Sequence, residues 1–435
     1  MNALQRNLLF ASLMFIAFAA AAYKVSNRPP PTAFVAPAAL GLSVKPPVPE
    51  AAPVFQAQFV SSDPGKAVHA PSIVELRDGN LRAVWFSGSR EGAGDVTIQT
   101  AVFDKTSEQW GSETSLFARA GLQRGLWRYV KKIGNPVIAR AADDSLHLWM
   151  VNVSLGGWAG SAITWSRSTD DGSNWSTPKR LVTSPFLNIS TLVKAAPVAL
   201  ANGQISLPVY HEFITKFAEV LRIDTNGHVL DKVRVPGSHT SLQPVVLVSD
   251  EQRAQTFMRA TQGGRVMSST TEDAGQSWAV AAPLALPNPN SALAGAVLRD
   301  GSRWLAYNPT TAGRDKLALT RLGDPVSKEM AVEPPKTNAN MANPLGKVDY
   351  AAVLSSELKS KGTTDRDIAA YVKSAQRQLC TGANCAQEFS YPFLLQSRDG
   401  TLHLVYTWHR TRIKHVCLDL SAVHSNKTPA HDRLN

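Results

Sequence analysis

Two tryptophan-containing turns and a recurrent strand–turn unit predict that this chain of 435 residues is all-β and folds as a six-bladed β-propeller. The turns, at 168–175 and 271–278, both fit the pattern S/T-x-D-x-G-x-x-W. In this pattern the hydroxyl and carboxylate bond local backbone amides, the glycine adopts positive φ, and the tryptophan packs between sheets. Trp175 and Trp278 are therefore expected to stabilise hairpins away from any central site.

The strand–turn unit consists of a hydrophobic run, an Asp-Gly-like turn and a second hydrophobic run. Most runs are led by proline, which fits the start of an inner strand. Six units occur, mostly about 50 to 65 residues apart, as expected for four-stranded blades around an axis. They begin at Ala70, Asn135, Ala196, Gln243, Gly295 and Tyr391, and the fifth lacks the proline.

An insertion at about residues 325–388 separates the fifth blade from the sixth. It is partly helical, with helices predicted near 349–359 and 365–379 and a helix start at Thr363 to Asp365. A lid, a partner surface and simple decoration all remain open for it.

Three cysteines are consistent with an oxidising compartment. Cys380 and Cys385 are five residues apart in a loop and could close a small disulfide, which would leave Cys417 as a free thiol in a strand. The alternative, with all three reduced, stays open. Because dispersed cysteines give no paired ligand spacing, no zinc site is expected, and no other metal or cofactor is predicted.

The amino terminus predicts export. A short basic lead precedes an apolar run from Leu8 to Tyr23, which resembles the apolar region of a signal peptide and is short for a membrane span of roughly 20 residues. Residues 1–28 are interpreted as a signal peptide or an uncleaved membrane anchor. The remaining segments are a Pro/Ala-rich linker at 29–55, the propeller at 56–424 and a tail at 425–435. The propeller would then be periplasmic, secreted or anchored to the membrane.

A net charge of +11 favours weak attraction to anions. The charge is either spread over the surface or gathered on a face that attracts acidic glycans. Since no run of lysine and arginine and no recognition motif occurs, a nucleic-acid partner is not expected.

These motifs resemble the sialidase-like superfamily with Asp-box (BNR) repeats, and in particular a bacterial group of neuraminidase-like proteins, over roughly residues 60–420. The resemblance implies an exo-acting glycoside hydrolase that removes an acidic sugar from a glycan with retention. In that mechanism arginines clamp the sugar carboxylate and a tyrosine attacks the anomeric carbon.

The resemblance assigns roles to five positions. Asp95 matches the acid/base aspartate, and Arg90, which ends the strand before it, is expected to bind substrate. Arg259 and Arg314 match two arginines of the carboxylate-binding triad, and Tyr391 matches the nucleophile.

Two catalytic positions depart from the family's pattern. His69 stands where the first arginine is expected, and Gln243 replaces the glutamate that accepts the tyrosine proton. A phenol with a pKa of about 10 needs a base, and Gln243 cannot serve as one. His69 is proposed for that role, because the first and last blades of a closed propeller are neighbours.

These departures keep two alternatives open. The first is a polysaccharide lyase acting on a uronate-containing polymer, with His69 and Tyr391 moving the protons. The second is a propeller that binds glycans without catalysis.

Overall fold

The structure is a computed structural model that describes residues 2–26, 32–36, 55–184, 188–323, 329–334 and 344–418. Within these ranges antiparallel strands dominate, so the all-β prediction is confirmed. Six sheets of four or five strands succeed one another along the described chain, and a small three-stranded sheet lies in the insertion. The predicted tail at 425–435 and residues 29–31 and 37–54 of the predicted linker fall outside the described residues.

Helix α1, Ala3–Ser26, opens the described chain. Its segment Ala3–Tyr23 is 21 residues long, apolar enough to cross a membrane, and 0% buried inside the protein. This segment is longer than the apolar run predicted from Leu8 to Tyr23, because the helix also includes residues 3–7. A signal sequence near an amino terminus meets the same criteria of length and composition.

Strand β1, Phe55–Phe59, follows and belongs to the last sheet. The first sheet contains β2 (Ala67–Glu75), β3 (Leu81–Gly88), β4 (Thr97–Asp104), β5 (Gln109–Trp110) and β6 (Thr114–Ala118). After helix α2 (Arg119–Leu126), the second sheet contains β7 (Lys132–Arg140), β8 (Leu146–Val153), β9 (Ser161–Ser168) and β10 (Lys179–Arg180). A short 3-10 turn lies at Trp158–Gly160.

The third and fourth sheets follow the same up-and-down order. The third contains β11 (Leu192–Val193), β12 (Val198–Ala199), β13 (Ile205–Glu212), β14 (Lys216–Ile223) and β15 (Val229–Arg234). The fourth contains β16 (Ser241–Val248), β17 (Ala254–Ala260), β18 (Gly264–Thr271) and β19 (Ala282–Asn288).

The insertion separates the last two sheets. The fifth sheet contains β20 (Ala294–Val297), β21 (Arg303–Tyr307), β22 (Leu317–Leu322) and β23 (Met330–Glu333). The insertion contains β24 (Leu345–Gly346), α3 (Lys347–Ser360), α4 (Asp365–Leu379), β25 (Cys380–Thr381) and β26 (Asn384–Cys385). The sixth sheet contains β27 (Phe389–Gln396), β28 (Leu402–Trp408) and β29 (Arg412–Leu418), with β1 as its outer strand.

The first strands of the six sheets face one another. All residues of β16 are buried, and β2 packs against both β7 and β27. Residues of all six sheets line one cavity of about 630 Å³, so the sheets share a common interior. The second strands carry buried tryptophans that fill the space between sheets: Trp85, Trp149, Trp304 and Trp408.

Both Asp-box turns form as the sequence predicts. In the first, the Ser168 hydroxyl accepts from the Gly172 amide (2.8 Å) and the Asp170 carboxylate accepts from the Asn174 amide (2.9 Å). The Asn174 bonds lower the pKa of Asp170 to about 2. The glycine has a φ of 87°, which a larger residue would adopt only with strain. Trp278 of the second turn is buried, and Trp175 of the first is half-buried.

Residues 32–36, within the predicted linker at 29–55, are held against the sheets. Phe34 is 2% exposed and packs with Leu200 and Trp278. The backbone is also held, since the Phe34 amide donates to the Glu251 carbonyl (2.9 Å). Burial of the apolar Phe34 side chain in a cleft between two sheets stabilises the docked segment. This stabilisation exceeds the preference for an extended, solvated chain that the surrounding prolines and alanines indicated.

The insertion folds as predicted within its described residues. Both helices form, and the Thr364 hydroxyl caps α4 by accepting from the Asp367 amide. Their buried side chains, among them Tyr350 and Tyr371, pack on the sixth sheet. Cys380 and Cys385 form the predicted disulfide, and Cys417 is free on β29.

Candidate active site

Four first strands share an unusual backbone at their start. Ala70, Asn135, Gln243 and Tyr391 each precede a proline and have φ values of 54°, 42°, 53° and 54°. Residues before proline are normally extended, and positive φ outside glycine costs roughly 1–3 kcal/mol. Each position coincides with a register shift between the first and second strands. Such bulges redirect side chains, and here three of the four meet in one hydrogen-bonded group.

Tyr391 lies at the centre of this group. Its phenolic oxygen accepts from Gln243 Nε2 (3.1 Å) and Arg259 Nη1 (3.5 Å). Gln243 Nε2 also lies 3.4 Å from the Tyr210 oxygen, to which Asn135 Nδ2 donates over 3.2 Å. Two donors aimed at the Tyr391 oxygen would stabilise negative charge there.

Asn290 brings the two predicted arginines together. Its side-chain oxygen accepts from Arg259 Nε (2.7 Å), and its backbone oxygen accepts from Arg314 Nη2 (2.9 Å). The structure therefore places Arg259 and Arg314 beside each other and Arg259 beside Tyr391. Two guanidinium groups in this arrangement can bind one carboxylate.

Sequence reasoning missed a buried carboxylate, Glu388, and a third arginine, Arg410. Glu388 accepts from Arg314 Nη1 (3.2 Å), Arg410 Nε (3.0 Å) and the Ser390 hydroxyl (2.6 Å). Although burial opposes its ionisation, Arg410 and Arg314 hold the pKa of Glu388 well below the usual value. Arg410 also pairs with Glu91 (3.0 Å). The only sequence signal was position, since Glu388 precedes the predicted nucleophile by three residues.

His69 lies against Tyr391, with ring centroids 4.1 Å apart. Its Nδ1 is 2.9 Å from the Thr407 hydroxyl, while its buried Nε2 has no hydrogen-bond partner among the described residues. Burial and the nearby Arg410 lower the pKa of His69 well below its usual value. This environment disfavours the proton-accepting role proposed from the sequence and leaves Nε2 free for a ligand.

Lys194 is a second group that sequence reasoning missed. Its side chain is buried, its Nζ donates to the Pro392 carbonyl (3.1 Å), and it lies 5.5 Å from the ring centroids of both Tyr391 and Phe393. Burial lowers the pKa of Lys194 to about 7. A lysine outside any motif is expected on the solvated surface. The buried position of Lys194 beside Tyr391 is therefore visible only in the folded structure.

The structure does not bring Asp95 and Arg90 into the group. Asp95 accepts from the Ser89 amide and hydroxyl, both at 2.9 Å, within an exposed loop. Burial opposes ionisation of Asp95, but together the Ser89 hydrogen bonds and nearby charge outweigh it, so the pKa lies below the usual value. Arg90 is exposed beside it. Among the described residues, neither side chain has a hydrogen bond or ion pair to Tyr391, Arg259 or Arg314.

A different carboxyl group faces the Tyr391 group. Glu212 ends β13, two residues after Tyr210 and on the same face of the strand. Burial raises the pKa of Glu212 and outweighs the opposing charges of Arg259 and Lys216. A raised pKa favours the protonated carboxyl, which is the form that can donate a proton.

A histidine–cysteine cluster on the sixth sheet fits a hydrogen-bond relay better than a metal centre. His403, His415 and Cys417 place their ligand atoms within 4.8 Å of one another. However, Trp110 Nε1 donates to His415 Nδ1 (3.2 Å), which leaves the proton on Nε2, 3.0 Å from His403 Nδ1. A protonated nitrogen cannot bind a metal. The second sheet has a similar bond, from Trp165 Nε1 to His147 Nδ1 (3.0 Å).

The fold is that of sialidase-like proteins. A Hadza microbial sialidase superposes with a TM-score of 0.57 at 14% identity, covering 81% of this chain and 65% of that chain. The intramolecular trans-sialidase from Ruminococcus gnavus gives a TM-score of 0.57 at 12% identity, covering 83% and 95%. A protein of unknown function from Dyadobacter fermentans gives 0.57 at 11%, covering 84% and 99%. At these identities the likeness concerns the fold.

Residues 79–404 match the BNR repeat-like domain family, so the chain belongs to that family. The resemblance inferred from the Asp-box turns is thereby confirmed. No curated protein matches the sequence.

Proposed function

We propose that the six sheets are the blades of a closed six-bladed propeller and that the chain is a retaining exo-glycosidase of the sialidase type, which removes an acidic sugar from a glycan. The main support is the hydrogen bonding around Tyr391, whose oxygen accepts hydrogen bonds from Gln243 and Arg259. Asn290 accepts hydrogen bonds from both Arg259 and Arg314 and so holds the two arginines together. This arrangement joins a nucleophile to an anion site.

Each group has a defined part in the proposed reaction. Arg259 and Arg314 bind the sugar carboxylate. Glu388 pairs with Arg314 on one side and with the positively charged Arg410 on the other. The Tyr391 oxygen forms a bond to the anomeric carbon as the glycosidic bond breaks, and a carboxyl group protonates the departing oxygen. Water then attacks the anomeric carbon and breaks its bond to the Tyr391 oxygen, which releases the sugar.

The proton transfers offer two candidates each. Asp95 is the acid predicted from the sequence, and Glu212 is the carboxyl that faces the Tyr391 group. His69 is the predicted acceptor of the Tyr391 proton, and Lys194, with a pKa of about 7, is a second basic nitrogen beside that ring.

Two other functions are favoured by single observations. Binding without catalysis is favoured by Gln243, which donates to Tyr391 where catalysis needs an acceptor. Lyase chemistry on a uronate polymer is favoured by the contact between the His69 and Tyr391 rings. The apolar helix α1 supports export, either as a signal peptide or as an anchor.

Incubation of purified protein with sialylated and uronate-containing glycans, followed by mass analysis of the products, separates the three functions. Release of an intact acidic sugar supports the hydrolase. An unsaturated fragment supports the lyase instead, and retention of unchanged glycan supports the binding propeller. Absence of both binding and turnover across the panel would reject all three.

A further inference from the structure

The residues after α1 are attached to one defined face of the sheet assembly. The Val35 amide donates to the Ala199 carbonyl (3.0 Å), and the Ala201 amide donates to the Ala33 carbonyl (2.9 Å). The buried Phe34 ring lies where a Cβ on Gly275 would meet it at 3.3 Å. Residues 32–36 are thus held between the third and fourth sheets.

This attachment lies at the end of the sheets that we name the turn face. It is formed by the turns that join first to second strands, such as Asn202–Gly203, and by the Asp-box turns. The candidate active site lies at the other end of the first strands, where Gln243 and Tyr391 lie near the strand starts. We name that end the site face. First strands such as β16, with 8 residues, separate the two faces by about 25 Å at roughly 3.3 Å per residue.

The apolar span of helix α1 is not buried inside the described protein. Its 21-residue span is 0% buried, and its side chains include the exposed Phe10, Phe15 and Phe18. The small residues from Ala19 to Ala22, at which a signal peptide would be cleaved, lie inside the helix and not beyond its end. An apolar helix of this length fits a lipid bilayer.

We propose that α1 is an uncleaved membrane anchor and that the docked segment 32–36 orients the protein, with the turn face toward the lipid surface and the site face away from it. The connector of residues 27–31 sets the limit. Even fully extended, it reaches about 20 Å, at 3.3–3.6 Å per residue. Residues 24–26, which follow the apolar span within α1, add about 5 Å at 1.5 Å per residue, so the total reach is about equal to the distance of about 25 Å between the two faces. The site face could rest on the membrane only with the connector fully stretched along the whole length of the sheets, so the attachment favours the turn face.

The orientation predicts which glycans the protein meets. A site that opens away from its own membrane acts on glycans in the surrounding medium or on a facing surface. The headgroups of the bilayer that holds α1 lie next to the turn face, on the side opposite the candidate site. This inference uses the position of the candidate site but not its chemistry, so it stands or falls separately from the proposed glycosidase activity.

Two exposed positions on the fourth sheet provide a matched pair of probes. Glu272 lies in the second Asp-box on the turn face, and Gln262 lies in the hairpin between β17 and β18 on the site face. In a Cys417→Ser background, Glu272→Cys and Gln262→Cys each offer one free thiol for a fluorescent label. The full chain is placed in phosphatidylcholine vesicles that contain a lipid with a quenching headgroup.

The expected result is quenching at position 272 that exceeds quenching at position 262 by at least about twofold. Insertion of twenty Gly/Ser residues after residue 31 should abolish this difference, because a long flexible connector no longer fixes the orientation. Phe34→Ala should reduce it by releasing the docked segment, and the insertion variant covers the case in which Phe34→Ala does not fold. Equal quenching at the two positions, stronger quenching at 262, or a mature amino terminus beyond α1 would overturn the proposal.

Discussion

The side-chain amide of Gln243 donates a hydrogen bond to the phenolic oxygen of Tyr391 over 3.1 Å. The direction of this bond is fixed by a neighbour. Arg259 can only donate, so the Gln243 oxygen faces Arg259 (3.1 Å) and the nitrogen faces Tyr391. Where the sialidase pattern has a carboxylate that accepts the tyrosine proton, this chain has a donor that stabilises the deprotonated oxygen.

Gln243→Glu should raise turnover. A carboxylate at this position would accept the Tyr391 proton and pair with Arg259, and general base catalysis contributes roughly 10²–10⁴-fold. The measurement is kcat between pH 5 and 8 for release of the acidic sugar. Gln243→Ala is the control and should not gain activity. An unchanged kcat in Gln243→Glu would show that proton removal from Tyr391 does not limit the reaction.

Tyr391→Phe should abolish turnover and leave ligand binding intact, because it removes the nucleophilic oxygen and keeps the ring. Product release and calorimetric titration with the product sugar measure the two effects. Tyr210→Phe is the matched control, since it removes an oxygen from the same hydrogen-bonded group without touching the proposed nucleophile. Normal turnover in Tyr391→Phe would refute both covalent catalysis and the lyase role of this residue.

Arg259→Ala and Arg314→Ala should each weaken binding of an acidic sugar by a few kcal/mol, the scale of a lost charge-assisted pair. The effect at Arg314 includes the loss of one cation from Glu388. Titration of the variants with the sugar and with its neutral analogue measures it. Arg90→Ala serves as the exposed control. An equal loss in that variant would place Arg90 in the site despite its position in the loop.

Paired variants of two carboxylates decide which one protonates the leaving group. Glu212→Gln should lower kcat by roughly 10²-fold or more on substrates with poor leaving groups and by little on activated aryl glycosides. Asp95→Asn should change kcat less, because its Ser89 bonds favour the charged form. The reverse order of the two effects would restore the assignment made from the sequence.

Lys194 should give the protein a pH-dependent stability. Its pKa is lowered from 10.5 to about 7 by burial, so between these values the unfolded chain binds a proton that the folded chain does not. The free energy of unfolding therefore rises with pH across this window, by about 2 to 3 kcal/mol between pH 7 and 9. Urea unfolding of the native protein and of Lys194→Met measures the difference. An identical slope in both would show that Lys194 stays charged.

The sequence predicted the scaffold better than the chemistry. Asp-box turns have their own hydrogen-bond pattern, which depends on residues within eight positions, so Trp175 and Trp278 could be placed without the fold. Gln243 and Tyr391 were found because they match positions of the sialidase pattern near the starts of two first strands. Their left-handed backbone was not predictable, since residues before proline are normally extended.

Groups whose role depends on distant contacts were not predictable. Arg410 pairs with Glu91, which is 319 residues away, and Lys194 reaches Pro392, which is 198 residues away. Neither pairing leaves a local pattern. Asp95 is the opposite case, because its local motif was recognised but its surroundings were not. Its carboxylate accepts two hydrogen bonds from Ser89 within the exposed loop.

The pairing of β1 with β29 sets the order in which the molecule can be completed. Phe55 pairs with Leu418, and the nearby Ile413 amide reaches the Ser61 hydroxyl across 352 residues. The sixth sheet therefore waits for the last strand to be synthesised, and until then β1 presents an unpaired edge. An unpaired edge can pair with other chains, so completion of the sixth sheet is a late step in folding that protects β1.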